Sequence, residues 1–302
     1  MKFKIFYLVL IAVVSFFIID TIINYTMMKG INNYYGLNQD ADILLIGHSH
    51  LMLATDKKRM EDELGMKVSK YTREGVNVAV KKKMVEHFLS NGNVDSLKYV
   101  LYGVDLATFT GEGLSKNSYK LFYPFMDNKY MDEFISEEAD KSDYYLNKFF
   151  KSLRFNDDGI KNSAIRGLLN NWSNFKTNTI DIEWYKNWLS EGNERNIDMN
   201  DTLISQFKET ISLLTDRNIK VILVNTPTLD LVNQYEPDKY QNIMNWYKSY
   251  ANSNDLIEFW DFNPKYESDY SIFSDRIHVN NKGQQIITEE IIKKLKLEIE
   301  NN

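Results

Sequence analysis

Short apolar runs alternate with helical stripes along most of this chain, and this alternation constrains the fold more than any other feature. Apolar residues that recur at steps of three and four are typical of helices that bury one face against a sheet. The strand-like runs are Asp42–Ile46, Met66–Tyr71, Leu97–Val104, Ile219–Thr226 and Leu256–Phe262. The helical stripes are Val76, Val80, Met84 and Phe88; Leu203, Phe207, Ile211 and Leu214; and Ile287, Ile291, Leu295 and Ile299.

Strands that alternate with helices predict parallel βαβ units. We therefore expect an α/β domain over residues 29–302, built on a doubly wound (flavodoxin-like), mostly parallel sheet. In such a sheet, ligands bind beyond the carboxyl ends of the strands. The segment Gly47–His50 follows one of these ends directly.

Residues 106–200 interrupt the alternation and are rich in aromatic residues. We predict a mainly helical insertion that packs over the edge of the sheet where Gly47–His50 lies. Most of its aromatic residues are expected to form its own small core, although a groove for sugars or an acyl carrier is the alternative. They include Tyr119, Phe122, Tyr123, Tyr144, Tyr145, Phe149, Phe150, Trp172, Trp184 and Trp188.

The first 28 residues have the composition of a membrane anchor. Ile5 to Ile19 carries no charge, and Ile5 to Met28 would span about 36 Å as a helix, enough to cross a bilayer. Lys2 and Lys4 favour a cytoplasmic start, so that the rest of the chain lies outside the cell membrane. Asp20 is then expected near the outer interface. No small-x-small motif follows the apolar run, so we predict an uncleaved anchor over a cleaved signal peptide.

The overall composition excludes several functions. The net charge is −6 over 302 residues, which gives no basic footprint for nucleic acid. The absence of cysteine rules out disulfides, thiolate zinc sites and cysteine nucleophiles.

Two short segments contain three of the four histidines. An apolar run ends at Gly47-His48-Ser49-His50, and Asp275-Arg276-Ile277-His278 stands near the carboxyl end. Serine, histidine and aspartate together form a nucleophilic triad, and the three residues can occur in any order along the chain. A neighbouring base must take the serine proton, so we predict Ser49 as nucleophile, His278 as base and Asp275 as its orienting carboxylate.

The remaining histidines and lysines have other interpretations. His48 and His50 could share a metal ion, but no third ligand stands nearby in the sequence, so we expect pocket-lining residues and no metal or other cofactor. His87 falls on an apolar helical stripe and is expected to be structural. Lys81-Lys82-Lys83 is expected to be a solvated helix face.

These motifs resemble those of the SGNH/GDSL-type hydrolases, whose nucleophile lies in a Gly-Asp-Ser block after the first strand and whose Asp-x-x-His block precedes the last helix. The resemblance implies the same three roles for Ser49, His278 and Asp275. It also places Gly75 at the position of the family's oxyanion glycine and Gly103-Val104-Asp105 at that of its Gly-x-Asn block. With its anchor, the chain is most similar to membrane-tethered members such as teichoic-acid D-alanine transfer and polysaccharide O-acetylation proteins.

Two residues depart from the family pattern. His48 stands where the family has aspartate, and Asp105 stands where it has asparagine. An ionised carboxylate would repel a developing oxyanion, whereas an amide donates to it. Either Asp105 is protonated in the oxyanion hole beside the backbone of Ser49 and Gly75, or it points away and Asn77 or the backbone N–H groups serve instead.

The resulting hypothesis is a membrane-anchored, extracytoplasmic serine esterase or acyltransferase that forms an acyl-enzyme on Ser49. Its expected partners are an acylated cell-envelope polymer or acyl carrier, the membrane and a multi-pass acyltransferase. One alternative is a catalytically silent binding module of such an acyltransferase complex. Another, a soluble secreted lipase, requires cleavage of the leader.

Overall fold

A computed structural model describes residues 2–91, 94–110, 118–192, 194 and 197–301. They fall into two compact units. The helical unit lies within Met1–Tyr35 and Asn117–Asn171, and the sheet unit lies within Gly36–Lys116 and Trp172–Asn302. These bounds differ from the predicted ones, because residues 118–171 group with the amino-terminal helix. Residues 111–117, 193, 195 and 196 of the predicted insertion lie outside the described residues.

The sheet unit is built on five parallel strands, in the order β2-β1-β3-β4-β5. Each of the five predicted strands is present, with bounds shifted by at most two residues. The α/β class and the parallel sheet are therefore confirmed. The strands are β1 (Ile43–Gly47), β2 (Val68–Thr72), β3 (Tyr99–Val104), β4 (Lys220–Asn225) and β5 (Ile257–Asp261).

Helices account for most of the remaining structure. Those of the helical unit are α1 (Lys2–Tyr35), α5 (Lys129–Glu138), α6 (Lys141–Phe149) and α7 (Asp158–Leu168), with 3-10 helices at Ser118–Phe125 and Lys151–Phe155. Those of the sheet unit are α2 (Ser49–Ala54), α3 (Lys57–Leu64), α4 (Val78–Ser90), α8 (Ile182–Ser190), α9 (Asp201–Thr215), α10 (Asp230–Asn233), α11 (Pro237–Ala251), α12 (Asn263–Tyr266) and α13 (Asn281–Asn301), with a 3-10 helix at Tyr270–Ile272.

Both faces of the sheet are buried, which explains why its strands are continuous apolar runs. Ile43 and Leu45 of β1 belong to a core that also contains Ile287 and Ile291 of α13. On β3, the Tyr102 ring meets Phe207 of α9 at a centroid distance of 5.4 Å.

The predicted helical stripes are largely buried, with two corrections. Val76 is buried but precedes α4, because the Asn77 side chain caps that helix by accepting from the backbone N–H of Val80 at 3.0 Å. Ile299 lies in the last turns of α13 and is 38% exposed.

The helical unit contains one helix, α1, that is long and apolar enough to span a membrane. It extends to Tyr35, beyond the predicted end of the anchor at residue 28. Asp20 is 4% exposed, and its carboxylate accepts from the backbone N–H groups of Lys151 at 3.0 Å and Ser152 at 2.8 Å. Within this unit Asp20 therefore satisfies the first turn of a 3-10 helix.

Two glycines let α1 and α7 pack closely. A Cβ atom on Gly30 would lie 2.1 Å from the carbonyl oxygen of Ala164. A Cβ atom on Gly167 would lie 1.8 Å from the carbonyl oxygen of Gly30. The backbones are therefore in contact at this crossing, and any larger side chain would separate the helices.

His87 on α4 is buried, as a structural residue should be, and its Nδ1 lies 3.0 Å from the Tyr71 hydroxyl. Burial lowers the pKa of His87 to about 4, against an ordinary value of 6.5. Between these values the unfolded chain binds a proton that the folded chain does not. Lowering the pH through this range therefore destabilises the fold.

We expect His87→Gln to reduce the loss of unfolding free energy between pH 7 and pH 4 by up to about 3 kcal/mol. The amide keeps a polar partner for Tyr71 but does not titrate. Denaturant unfolding at several pH values measures the effect. Ser90→Ala on the same helix is the control, and it should shift the curve without changing its slope. Parallel curves for wild type and His87→Gln would contradict the prediction.

Candidate active site

The nucleophile segment begins where β1 ends. Gly47 and Gly103 lie side by side on β1 and β3, and a Cβ atom on either would lie 3.0 Å from Cβ of Leu51. A Cβ atom at either position would have to displace Leu51, whereas glycine at both positions leaves room for α2 to begin directly after the strand. His48 caps α2, since its Nδ1 accepts from the backbone N–H of His50 at 3.2 Å. Ser49 is therefore the first residue of the helix.

The structure brings Ser49, His278 and Asp275 into one hydrogen-bonded chain. Ser49 Oγ lies 2.8 Å from His278 Nε2, and His278 Nδ1 lies 2.8 Å from Asp275 Oδ2. Since a carboxylate only accepts, Nδ1 carries the proton and Nε2 is the acceptor for the serine hydroxyl. This is the arrangement in which a histidine can take the proton of a serine.

Asp275 is fixed by its own loop. Its Oδ1 accepts from the backbone N–H groups of Ile277 at 3.1 Å and His278 at 3.0 Å. Burial on its own raises the pKa of the Asp275 carboxyl. The contacts with His278 and Lys176 outweigh burial and hold this pKa well below its usual range. Asp275 is therefore ionised throughout the physiological range.

Lys176 is a part of the site that the sequence did not reveal. Its Nζ lies 2.8 Å from Asp275 Oδ2. The surrounding loop is held to the Asp275 loop on both sides, because Asn178 Nδ2 donates to the Ser274 carbonyl at 2.7 Å and the Ile180 N–H donates to the Phe273 carbonyl at 3.0 Å. No local pattern marks residues 174–180, since their partners are about 100 residues away in the chain.

A pocket of about 680 Å³ opens over Ser49 and His278. The predicted site residues outside the triad all line it, namely Gly75, Asn77, Asp105, His48 and His50. Gly75 has a φ of +66°, a conformation that favours glycine. The Oδ1 atom of Asn77 caps α4, which leaves Nδ2 as the donor end of this side chain.

Asp105 is oriented away from an oxyanion role. Its Oδ1 accepts from the N–H of Ala107 at 2.8 Å and from the Thr108 hydroxyl at 3.0 Å. Its Oδ2 lies 3.1 Å from His48 Nε2 and 3.5 Å from His50 Nδ1. Burial raises the pKa of Asp105, but His48, His50 and Lys81 together hold it well below its usual range. An ionised carboxylate has no proton to donate to an oxyanion.

The expectation that Lys81 belongs to a solvated helix face is wrong. Its side chain is buried instead of solvated, and its Nζ donates to the Gly103 carbonyl at 2.9 Å. Burial lowers the pKa of Lys81 to about 8, although the negative charge of Asp105 raises it. The carboxylate and the ammonium therefore lie buried in the wall of the same pocket.

His48, His50 and Asp105 also have the composition of a metal site. One ligand atom from each lies within 4.8 Å of the other two, so Asp105 supplies the third ligand that the sequence did not reveal. The hydrogen bonding of His48 opposes this interpretation. Because its Nδ1 accepts from the His50 N–H, the proton is on Nε2, which is the atom that a metal would need. The Nε2–H is not aligned with Asp105 Oδ2, so their contact is mainly electrostatic. The buried ammonium of Lys81 further disfavours a cation.

No protein-family model matches this sequence, and no curated protein matches it either.

Gly283→Ala should disturb the loop that carries Asp275 and His278. A Cβ atom at this position would lie 2.5 Å from the Ile272 carbonyl oxygen and 2.7 Å from Cβ of Val279, which flank the loop. Overpacking of this kind costs about 1–3 kcal/mol, so we expect a lower melting temperature in thermal unfolding. Gly159→Ala is the control, because its Cβ would meet only the Asp157 carboxylate. Equal melting temperatures for wild type and Gly283→Ala would refute the prediction.

Asp105→Asn should lower the free energy of unfolding by about 2–4 kcal/mol, because it leaves the buried ammonium of Lys81 without a neighbouring negative charge. Denaturant titration measures this loss. Asp198→Asn, at an exposed position of the same pocket, should stay within about 0.5 kcal/mol of wild type. Adding Lys81→Met to Asp105→Asn should restore part of the loss. An Asp105→Asn protein as stable as wild type would disprove this stabilising role of the Asp105 charge.

Proposed function

We propose that the sheet unit is an SGNH/GDSL-type serine esterase or acyltransferase. One observation carries the proposal, namely the continuous contact from Ser49 Oγ through His278 to Asp275, with both distances at 2.8 Å. Separations of this size are within hydrogen-bond reach, as general-base catalysis requires.

The reaction follows from these contacts. His278 Nε2 takes the proton of the Ser49 hydroxyl while Oγ attacks the acyl carbonyl carbon. The tetrahedral intermediate collapses, its C–O bond to the leaving alcohol breaks, and that alkoxide takes the proton back from His278. In the second half, His278 removes a proton from water or from a polyol or sugar hydroxyl as that oxygen attacks the acyl carbon. The bond between the acyl carbon and Ser49 Oγ then breaks, and His278 returns the proton to Oγ.

The oxyanion is assigned to donors other than Asp105. The backbone N–H groups of Ser49 and Gly75 and the amide of Asn77 are the available groups on residues that line the pocket. Asp105 then serves as a positioning residue, because it holds His48 beside the nucleophile. This assignment removes the conflict between a carboxylate and the negative charge of the intermediate.

The strand order supports the finer fold assignment as well. Order 2-1-3-4-5, with helices on both faces, is that of doubly wound, flavodoxin-like sheets, in which ligands bind where the strand order reverses between β1 and β3. Ser49 follows β1 and Asp105 follows β3.

The proposed substrates are ester-linked acyl groups of cell-envelope polymers. Helix α1 is taken as a membrane anchor with a cytoplasmic start, since Lys2 and Lys4 precede its apolar run. An anchored, outward-facing esterase meets envelope polymers or acyl carriers at the membrane surface, and a multi-pass acyltransferase is the proposed partner. No cofactor takes part in this chemistry.

A catalytically silent binding module is the second candidate. The replacement of asparagine by Asp105 favours it, because the family's side-chain oxyanion donor is lost. The contact between Ser49 Oγ and His278 Nε2 supports the enzyme instead, because a module without catalysis has no need of it.

Labelling with a serine-reactive fluorophosphonate tests the proposal. Wild type should be labelled at Ser49, and Ser49→Ala should lose the label completely. His278→Gln should slow labelling by about 10²–10⁴-fold, because general-base catalysis contributes about that much. Ser253→Ala, at an exposed serine outside the site, is the control and should be labelled like wild type. Label on another residue, or equal labelling of wild type and Ser49→Ala, would overturn the enzyme assignment in favour of the binding module.

A further inference from the structure

Helix α6 of the helical unit carries an apolar face that the described part of the chain leaves uncovered. Tyr145, Leu146 and Phe149 are 66%, 48% and 63% exposed. Tyr145 and Leu146 precede Phe149 by four and three residues, so both neighbour it on one side of the helix. Contiguous exposed apolar side chains of this size mark an interaction surface more often than ordinary solvent exposure.

This face is continuous with the exposed surface of α1. The Phe149 ring meets Phe17 edge-on at a centroid distance of 5.5 Å, and the Phe150 ring meets Phe16 at 5.7 Å. Phe16 and Phe17 themselves remain exposed on the sides that these rings do not cover. The end of α6 therefore lies against the apolar helix at the level of residues 16–17.

The depth of that contact follows from helix geometry. A hydrocarbon core of about 30 Å takes about 20 residues of helix at 1.5 Å each, which from Phe3 reaches about to Ile22. Phe17 would then lie roughly 21 Å from Phe3, within the outer leaflet. Side chains packed against Phe17 must lie at the same depth.

Three charged residues near this level, Asp20, Lys148 and Lys151, have partners. The Asp20 carboxylate accepts from two backbone N–H groups, as described above. Lys148 Nζ lies 2.6 Å from Asp132 Oδ1, and Lys151 Nζ lies 3.0 Å from Asp127 Oδ2. A helix end with aromatic residues on one side and lysines on its flank is typical of helices that lie in a membrane interface.

We propose that the α6 face formed by Tyr145, Leu146 and Phe149 is a second membrane contact, which lies in the outer leaflet beside α1 without crossing the bilayer. Its occupant is lipid, because lipid must already cover the exposed surface of α1 with which the face is continuous. The inference rests on the proposal that α1 spans the membrane.

The natural absence of cysteine allows a direct test on the full chain. Single cysteines replace Phe149, Ile11 and Leu169, and each carries the fluorophore NBD. The proteins are reconstituted in phosphatidylcholine vesicles with or without doxyl-labelled lipid, which quenches only probes in the bilayer. Ile11 reports on α1. Leu169 is the matched control, because it is 71% exposed but lies far from Phe17. It follows Gly167, which packs against Gly30. Gly30 is about 20 Å further along α1 than Phe17.

The proposal expects strong quenching at Ile11→Cys and Phe149→Cys, and little at Leu169→Cys. Quenching at Ile11 without quenching at Phe149 would overturn it while leaving the anchor intact. No quenching at Ile11 would overturn the anchor itself and the inference with it. If the NBD group at Phe149→Cys is shielded from water only at a high protein-to-lipid ratio, the occupant is a second copy of the chain. That result would also overturn the proposal. Tyr145→Cys repeats the measurement at a residue without a ring contact to α1, in case Phe149→Cys fails to fold.

Discussion

The packing of α13 against α2 is the interaction on which the site depends. Gln284 Nε2 donates to the Leu53 carbonyl at 2.7 Å, and the Asp56 N–H donates to the Thr288 hydroxyl at 2.9 Å. These bonds join α2 and the start of α3 to the last helix. Ser49 and His278 are 229 residues apart in the chain, and their 2.8 Å contact exists only because this packing fixes both segments. The apolar stripe of α13 is therefore as necessary to the triad as the motif that precedes it.

Asp275 and Asp105 lie near Ser49 but have different roles, because their side chains contact different groups. Asp275 touches His278 and Lys176 and can stabilise an imidazolium when it forms. Asp105 is enclosed with His48, His50 and Lys81, and burial lowers the pKa of both histidines. A neutral His48 and an ionised Asp105 leave this buried part of the pocket wall with little net charge, because the Lys81 ammonium balances the carboxylate. A substrate with no charge of its own, such as an ester, then enters without an unpaired buried charge to oppose it.

The sequence predicts what depends on local pattern. Apolar runs located all five strands, because both faces of the sheet are buried, and the Asp-x-x-His spacing anticipated the contact of Asp275 with His278. Contacts between segments that are distant in the chain produce no local sequence pattern. Neither the pairing of Lys176 with Asp275 nor the association of residues 118–171 with α1 has a periodic signal. The burial of Lys81 was missed for a related reason, because a run of three lysines has the composition of a solvated face whatever any one of them contacts.

The position of Lys176 also changes how residues 106–200 are understood. Residues 106–110 and 174–180 of this segment belong to the sheet unit, and residues 174–180 form the loop that holds Asp275. Residues 105–108 and 174–180 are thus both parts of the site, although neither carries the nucleophile or the base. The Asn281 N–H donates to the Lys176 carbonyl at 2.7 Å, so the same loop is fixed to the start of α13. A substitution in residues 174–180 therefore acts on the orientation of Asp275 through backbone hydrogen bonds, and the triad geometry is a property of the insertion's ends as much as of the two motifs.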